Sequence, residues 1–364
     1  MQGLKLSIVT VVLCILLLWA GATVGAFNKQ SIVDQKKVEP DALIARDNND
    51  DFYFVQITDT HVMHKLFDPD GISTNIFKTV IETVTSLSEK PAFVVITGDL
   101  VEWGGSRWSG ALNYQAFLDY LCEEDGQLYA DEEHSIPVYT IPGNHDYRWD
   151  TTLTNYYLYV DKIHNADDAR YVTNYQDVSL FFLDSGHDYI LEPWDWMRVL
   201  GSGLYDDDIS WLENALNDCD SQHKIVLMHH PAVNYRDKYG KMTDVIARNR
   251  EVFLGLCEDY DVDLVLVGHT HHAVVFDSEE NVYDELPLNC SLYPTLYVQS
   301  DDCKDGCHYR NISIVGSDIW LDESTEIEAT PMNYGYAKEI AKFPVVCFLN
   351  RCPLEDKMQS HVTR

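Results

Sequence analysis

The sequence predicts a layered α/β domain, on three observations. Apolar runs of strand length alternate with segments of helical period. Five of those runs stop at a polar cluster rich in Asp, His, Asn and Gly. Beyond residue 273 the helical segments cease and short strands follow one another, which suggests a second sheet packed against the first.

The elements follow in order. FYFVQI (52–57) is a short apolar strand running into Thr58-Asp59-Thr60-His61. Residues 74–88 carry apolar positions at helical spacing. AFVVIT (92–97) is a buried strand ending at Gly98-Asp99, and a helix is expected around 111–123. PVYTI (137–141) ends at Pro142-Gly143-Asn144-His145-Asp146. Residues 147–176 are rich in Tyr and show no clear period, leaving a cap over the site and a plain surface excursion both open. VSLFFLDS (178–185) is a strand, and Asp206–Asn217 a helix whose acidic first turn suits the helix dipole. KIVLM (224–228) ends at His229-His230-Pro231, residues 243–259 read as helical, and DLVLV (263–267) ends at Gly268-His269-Thr270-His271. The closing strands are 273–276, 295–300, 311–315 and 318–321.

Ahead of this domain, residues 4–26 join a basic start at Lys5 to an apolar run from Ile8 to Trp19, with small residues at Val24 and Ala26. This is the pattern of a signal peptide cut after Ala26, or of an uncleaved membrane anchor. Residues 27–50 are polar and read as a linker, 51–325 as the main domain and 326–364 as an extension. A secreted or membrane-tethered protein is therefore expected. Eight cysteines lie beyond the leader, and Cys303 with Cys307 and Cys347 with Cys352 are the natural local disulfide pairs. Asn289-Cys290-Ser291 and Asn311-Ile312-Ser313 fit the glycosylation pattern.

The 364 residues include 59 acidic against 26 basic side chains, a formal net charge of -33. No excess of Lys or Arg exists to neutralise a nucleic-acid backbone, so nucleic acid is not an expected partner. The same charge repels anionic substrates, so a site for one needs local positive charge of its own, which metal ions supply.

The five polar clusters carry the chemistry. Each follows a strand, and the carboxyl ends of strands in an open α/β sheet are where ligands gather. Carboxylate, imidazole and amide are ligands for a borderline-to-hard divalent ion. Asp59, Asp99, Asn144, His61, His229, His269 and His271 make seven candidates, too many for one ion and enough for two if one Asp bridges. At a strand end, positions i and i+2 share a side, so Asp59 with His61, and His269 with His271, are each expected to aim into one pocket.

With DTH (59–61), GD (98–99), GNHD (143–146), HHP (229–231) and GHTH (268–271) in this order, the sequence resembles the calcineurin-like metallophosphoesterase superfamily over roughly residues 51–320. The resemblance implies a four-layer α/β/β/α sandwich of two packed mixed sheets. It assigns Asp59, His61 and His271 to one metal, Asn144, His229 and His269 to the other, and Asp99 to both. His145 would donate a proton to the leaving oxygen or stabilise charge beside the phosphate, and Asp146 would orient the His145 ring. The family pattern selects His229 over His230. Two divalent ions, of manganese, iron or zinc, would share a hydroxide that attacks phosphorus in line. Tyr147 and Arg148, directly after GNHD, are candidates for touching substrate, and Trp194 and Trp196 for lining a pocket.

FVQITDTH and SGLYDDDISWLENAL (202–216) look most like the branch that includes class III cyclic-nucleotide phosphodiesterases and related exported members. GDLVEWGG has no Tyr, which disfavours purple acid phosphatases, and lacks the Arg usual in protein phosphatases. The leading expectation is hydrolysis of a phosphodiester or phosphomonoester of a small molecule or lipid head group. A non-catalytic scaffold on the same fold and a nuclease are the alternatives.

Overall fold

The computed structural model describes residues 51–121, 127–131, 134–160, 170–187 and 202–328. Its first strand shows how the layers arise. In β1 (Phe52–Ile57), Phe54 joins a core cluster with residues of the second sheet, whereas Val55 and Ile57 join the cluster under the helices. Successive side chains of a strand point to opposite faces, and both faces of this one are buried. Phe54 is fully buried and stacks on Phe93 at 4.7 Å between ring centres, a burial contributing about 1.5–3 kcal/mol.

Helix α1 (Ile72–Ser86) starts after Gly71, whose φ of 64° turns the chain into it. Asp68 Oδ2 accepts from the Ser73 amide and hydroxyl at 2.8 and 2.9 Å. With α2 (Ser109–Leu121), it covers the outer face of the first sheet. Strands β2 (Val94–Thr97), β3 (Gln127–Asp131) and β4 (His134–Ile141) extend that sheet from β1. The stretch after β4, with no readable period, contains a short helix α3 (Thr154–Val160) and an edge strand β5 (Tyr171–Tyr175).

The second sheet is built from β5, β6 (Val178–Phe182), β7 (His223–Leu227), β8 (Leu264–Val267), β9 (Val274–Phe276) and β11 (Leu296–Gln299), in the order β5-β6-β7-β8-β11-β9. Helices α4 (Asp206–Asn217) and α5 (Arg250–Asp259) pack Leu212, Leu216 and Phe253 into its core. The layers are thus α/β/β/α. The late strands do not form a separate sheet, contrary to the expectation from their run in the sequence. Strands β10 (Leu288–Asn289), β12 (His308–Val315) and β13 (Asp318–Glu326) complete the first sheet, in the order β10-β13-β12-β1-β2-β4-β3, while β9 and β11 join the second. The reason is pairing: β12 takes the free edge of β1, with Phe54 opposite Ile312.

Two further expectations are corrected. The helix expected over 243–259 begins only at Arg250. Asp244 and Asn249 have φ of 57° and 53°, and the Ile246 and Ala247 amides are drawn off to the Pro231 and Ser202 carbonyls. Cys303 and Cys307 do not form a disulfide. Their thiols face different carbonyls, those of His308 at 3.0 Å and Ile76 at 3.7 Å. Cys347 and Cys352 lie outside the described residues. Of the two glycosylation patterns, Asn311 sits within β12, paired with Val55. Asn289 donates to Asp318 at 3.1 Å. Among the described residues, no helix is long and apolar enough to cross a membrane; the 4–26 stretch lies outside them.

The topology places the site. β1, β2 and β4 run parallel, as do β6, β7, β8 and β11, so each set presents its carboxyl ends at one edge.

Candidate metal centre

Each of the five clusters leaves its strand through a sharp turn. Asp59, His61, Asp99, His269 and His271 all have positive φ, between 42° and 69°. The strand alternation expected to aim these side chains is therefore not the device used. Left-handed backbone costs such residues about 1–3 kcal/mol each and persists only where the surroundings enforce it. Here they do: Asp59 and His61 amides donate to the Gly98 and Asp99 carbonyls at 3.1 and 2.9 Å. The His269 amide donates to Asp59 Oδ2 at 2.9 Å, and the His145 amide to Asp99 Oδ1 at 2.7 Å. Glycines permit the approach. A Cβ on Gly268 would lie 2.3 Å from Asp59 Oδ2, and one on Gly143 would lie 2.3 Å from Asp99 Oδ1.

At the focus sit two buried carboxylates ringed by imidazole nitrogens. Asp59 Oδ1 lies 3.8 Å from His61 Nε2, 3.9 Å from His229 Nε2 and 3.4 Å from His271 Nε2. Asp99 Oδ2 lies 3.5 Å from His61 Nε2 and 3.3 Å from His229 Nε2. Asn144 Oδ1 is 2.9 Å from His229 Nε2 and 3.3 Å from His269 Nδ1. All seven residues singled out from the sequence thus come together.

The ring nitrogens facing away explain the orientation of those facing in. His61 Nδ1–H donates to Glu102 Oε2 at 2.8 Å, and His229 Nδ1–H to the Thr97 carbonyl at 2.8 Å. His271 Nδ1 lies 3.4 Å from Asp302 Oδ2. A histidine whose Nδ1 proton is held in this way presents the Nε2 lone pair as a ligand.

The fit to metal ions rests on what the centre lacks without them. Asp59 Oδ1 and His61 Nε2 are buried with no hydrogen-bond partner. Buried polar atoms are ordinarily paired. The gaps of 3.3–3.9 Å between donors are too long for good hydrogen bonds. They resemble the spacing of about 3.4 Å between ligands on one zinc-like ion, given bonds of about 2.1 Å. Asp59 with His61 and His271, and Asp99 with Asp59 and His229, are two such groupings.

The electrostatics agree. Burial opposes charge throughout, yet His229, His271 and His61 hold the Asp59 carboxyl well below its usual range. Against burial, Asp59, Glu102 and Asp99 raise the His61 ring to about 9, and Asp99 and Asp59 raise His229 to about 10. His230 goes the other way: burial and then His269 and His229 push its ring well below the ordinary value. Its Nδ1 faces Ser185 Oγ at 2.9 Å, so it lies beside the centre rather than in it.

One assigned role is not what the structure holds. Asp146 does not orient the His145 ring. Its carboxylate accepts from the Gly143 amide (2.8 Å), the Leu100 amide (3.1 Å) and the Tyr114 hydroxyl (2.7 Å), which fastens the GNHD turn to the GD turn. Burial and the nearby Asp99 raise its carboxyl to about 6. His145 instead donates through Nδ1 to the Glu102 carbonyl at 3.0 Å, with Glu102 Oε2 at 3.3 Å and its own Nε2 4.0 Å from Asp99 Oδ2.

Glu102 is one residue that sequence reasoning missed. It meets His61, His145, Arg148 Nη1 at 2.8 Å and Lys304 Nζ at 3.3 Å. Asp302 was missed too, although it follows β11 as the candidate ligands follow their strands. Tyr147 turns from the centre to Asp184 and, with Arg170, Tyr205 and Asp208, lines a neighbouring cavity of about 370 Å³. Trp194 and Trp196 lie outside the described residues.

Over residues 52–273 the sequence matches the family described as Calcineurin-like phosphoesterase. It is 25% identical over 244 residues to the glycerophosphodiester phosphodiesterase GpdQ of Enterobacter lignolyticus (strain SCF1), across 65% of this chain and 77% of that one. A probable cyclic nucleotide phosphodiesterase of Coxiella burnetii is 24% identical over 218 residues, across 59% of this chain and 73% of the relative. Among solved structures, the purple acid phosphatase PPD1 from yellow lupin seeds aligns with a TM-score of 0.51 at 13% identity. That alignment covers 76% of this chain and 52% of the lupin chain, and it shows the shared fold.

Proposed function

The chain belongs to the calcineurin-like phosphoesterase family, and from that premise we propose that it hydrolyses a phosphodiester of a small molecule or lipid head group. The observation that carries the proposal is the pair of buried carboxylates, Asp59 and Asp99, faced by imidazole nitrogens whose opposite nitrogens are already engaged. Asp59, His61 and His271 would hold one divalent ion, Asn144, His229 and His269 the other, with Asp99 between them. When bound, two such ions acidify water and offset charge on phosphoryl oxygens. Manganese, iron and zinc all suit these ligands.

The chain's own residues do the rest. His145 stands at the rim of the carboxylates, held through Nδ1 by the Glu102 carbonyl. The Glu102 carboxylate, 3.3 Å from His145 Nδ1, helps to fix the ring so that a proton on Nε2 would pass to the leaving oxygen. Arg148, 3.5 Å from His145 Nδ1, adds positive charge where a phosphoryl oxygen would lie. The preference for a diester draws on two of the curated relatives, those above that are named as phosphodiesterases. Export or tethering through residues 4–26 belongs to the same proposal, as does the exclusion of nucleic acid by the acidic charge.

The test is turnover of an aryl phosphodiester beside the matching monoester, with manganese and with chelator, using Asp99→Ala as control. Chelator-sensitive diester hydrolysis that the substitution abolishes supports the proposal. A folded protein that retains two ions and hydrolyses only the monoester would replace the diester reading, and one that binds no metal would leave the scaffold.

A further inference from the structure

The loops that follow β1, β2 and β4 carry more than the metal centre. Trp108 and Trp149 are 66% and 80% exposed, and no other tryptophan among the described residues is more than about a third exposed. Leu66 is 59% exposed. Scattered surface apolar residues are ordinary, but these three lie on contiguous loops. The Phe67 ring meets Trp103 at 5.7 Å and Trp108 at 5.5 Å, joining the first loop to the second. The Gly104 and Gly105 amides donate to the His145 and Arg148 carbonyls at 3.0 and 2.8 Å, joining the second to the third. These glycines allow no gap, since a Cβ on either would lie 2.2–2.3 Å from backbone of residues 146 and 150. Trp149 itself has φ of 77°, uncommon for a bulky residue and therefore a mark of constraint.

We propose that this rim of Leu66, Trp108 and Trp149 seats the catalytic edge on the surface of a phospholipid bilayer. Three observations favour a bilayer over a protein partner. Tryptophan, with an apolar body and a polar N–H, is the side chain that concentrates at membrane–water interfaces. Two of the apolar residues adjoin a cation, Leu66 after Lys65 and Trp108 after Arg107, in a chain with 26 basic against 59 acidic residues. Neither Lys65 nor Arg107 forms an ion pair among the described residues, leaving both for lipid phosphates. The sequence also offers an apolar stretch at 4–26 followed by a polar linker at 27–50, whose contour is at most roughly 80 Å. With residues 4–26 retained in a membrane, that reach would keep the domain near it and leave the rim to orient the site. The seating concerns where the site works. Its extension to a lipid head group as substrate rests on the phosphodiesterase reading above.

The test uses the full chain mixed with phosphatidylcholine vesicles containing a minor share of phosphatidylserine, with plain or brominated acyl chains. Tryptophan emission is compared between the wild type and W108F/W149F, whose metal content serves as the check on folding. Brominated lipid is expected to quench the wild type. The quenched fraction should fall by roughly half or more in the variant, because Trp19 is then the remaining tryptophan in an apolar segment. Equal quenching of both proteins would overturn the proposal. So would shielding of Trp108 and Trp149 from acrylamide that appears without lipid and grows with protein concentration, which would assign the rim to a second copy. Quenching needs no turnover, so failure of the phosphodiesterase reading would show separately, in the ester assays.

Discussion

Glu102→Gln tests the logic of the centre most directly. The substitution keeps the shape and removes the charge from a group that engages two rings and two cations. Glu102 Oε2 lies 2.8 Å from His61 Nδ1, 3.3 Å from His145 Nδ1 and 3.3 Å from Lys304 Nζ, while Oε1 lies 2.8 Å from Arg148 Nη1. Although burial opposes its charge, the His145 and His61 rings hold this carboxyl far below the usual range, so it is ionised at every working pH. Outer partners of metal-bound histidines are worth about 10–100-fold in metal affinity, or about 1.4–2.7 kcal/mol. That loss should fall on one ion alone. In the proposed division, the ion of Asp59, His61 and His271 would depend on Glu102 through His61, whereas His229, on the other ion, is backed by the Thr97 carbonyl, which the substitution leaves in place. Manganese titration of the metal-free protein, followed by calorimetry, should show one of two equivalents weakened by about 10–100-fold and the other near the wild-type value. Two equivalents of unchanged affinity, in a variant with unchanged melting temperature, would refute the claim that Glu102 sets the His61 ring. Equal weakening of both would refute the division of ligands between the ions.

Four further predictions concern the same fold. Gly98→Ala should abolish tight metal binding and destabilise the fold by about 2–4 kcal/mol, read by thermal melting, because Gly98 has φ of 95° and a Cβ there would lie 2.4 Å from His229 Nδ1. Burial disfavours charge on His61 and His229, yet Asp59, Glu102 and Asp99 raise them to about 9 and about 10, so both are protonated near neutral pH without metal. Metal binding there should release about two protons, seen as calorimetric heats that change with buffer ionisation enthalpy. By the same linkage, raised folded-state values give the metal-free protein stability that is fully present below about pH 6.5 and lost as pH rises through about 9 to 10. Melting curves of the metal-free protein should show that loss. Burial and then Asp263 push the Cys290 thiol up to about 12, so iodoacetamide at pH 8 should label the partly exposed Cys219 and spare Cys290 in the native protein. Unfolding without reductant should then expose Cys303 and Cys307 as well, and mass spectrometry would reveal a bridge between them as a failure to label.

The seven candidate ligands were legible because they obey a local rule. Each follows an apolar run buried on both faces, and such runs are visible without knowing the fold. What surrounds the ligands obeys no such rule. Glu102 stands only three residues beyond Asp99, but nothing local says that its carboxylate turns back to His61 and His145. Asp302 had a usable signal, an acid just past the strand at 296–299, which was read as part of a separate sheet. The orienting role assigned to Asp146 failed for a related reason: adjacency in the chain says little about where a ring nitrogen points. Among the elements, β5 escaped because its residues are mostly half-buried, with no apolar run, and α3 because seven residues are too few to show a period. The overlong helix before Arg250 followed a pattern of apolar spacing that could not register the left-handed turns at Asp244 and Asn249.

The pairing of β1 with β12 has a consequence for how the molecule is made. β1 is among the earliest parts of the domain to leave the ribosome, and its partner follows roughly 250 residues later. At about 5–20 residues per second, one edge of that strand waits on the order of 10–50 s for its neighbour. During translation Asp59 and His61 likewise have no His269 or His271 to face. The domain therefore closes only once β12 has emerged, and neither set of candidate ligands is complete until His269 and His271 have also emerged.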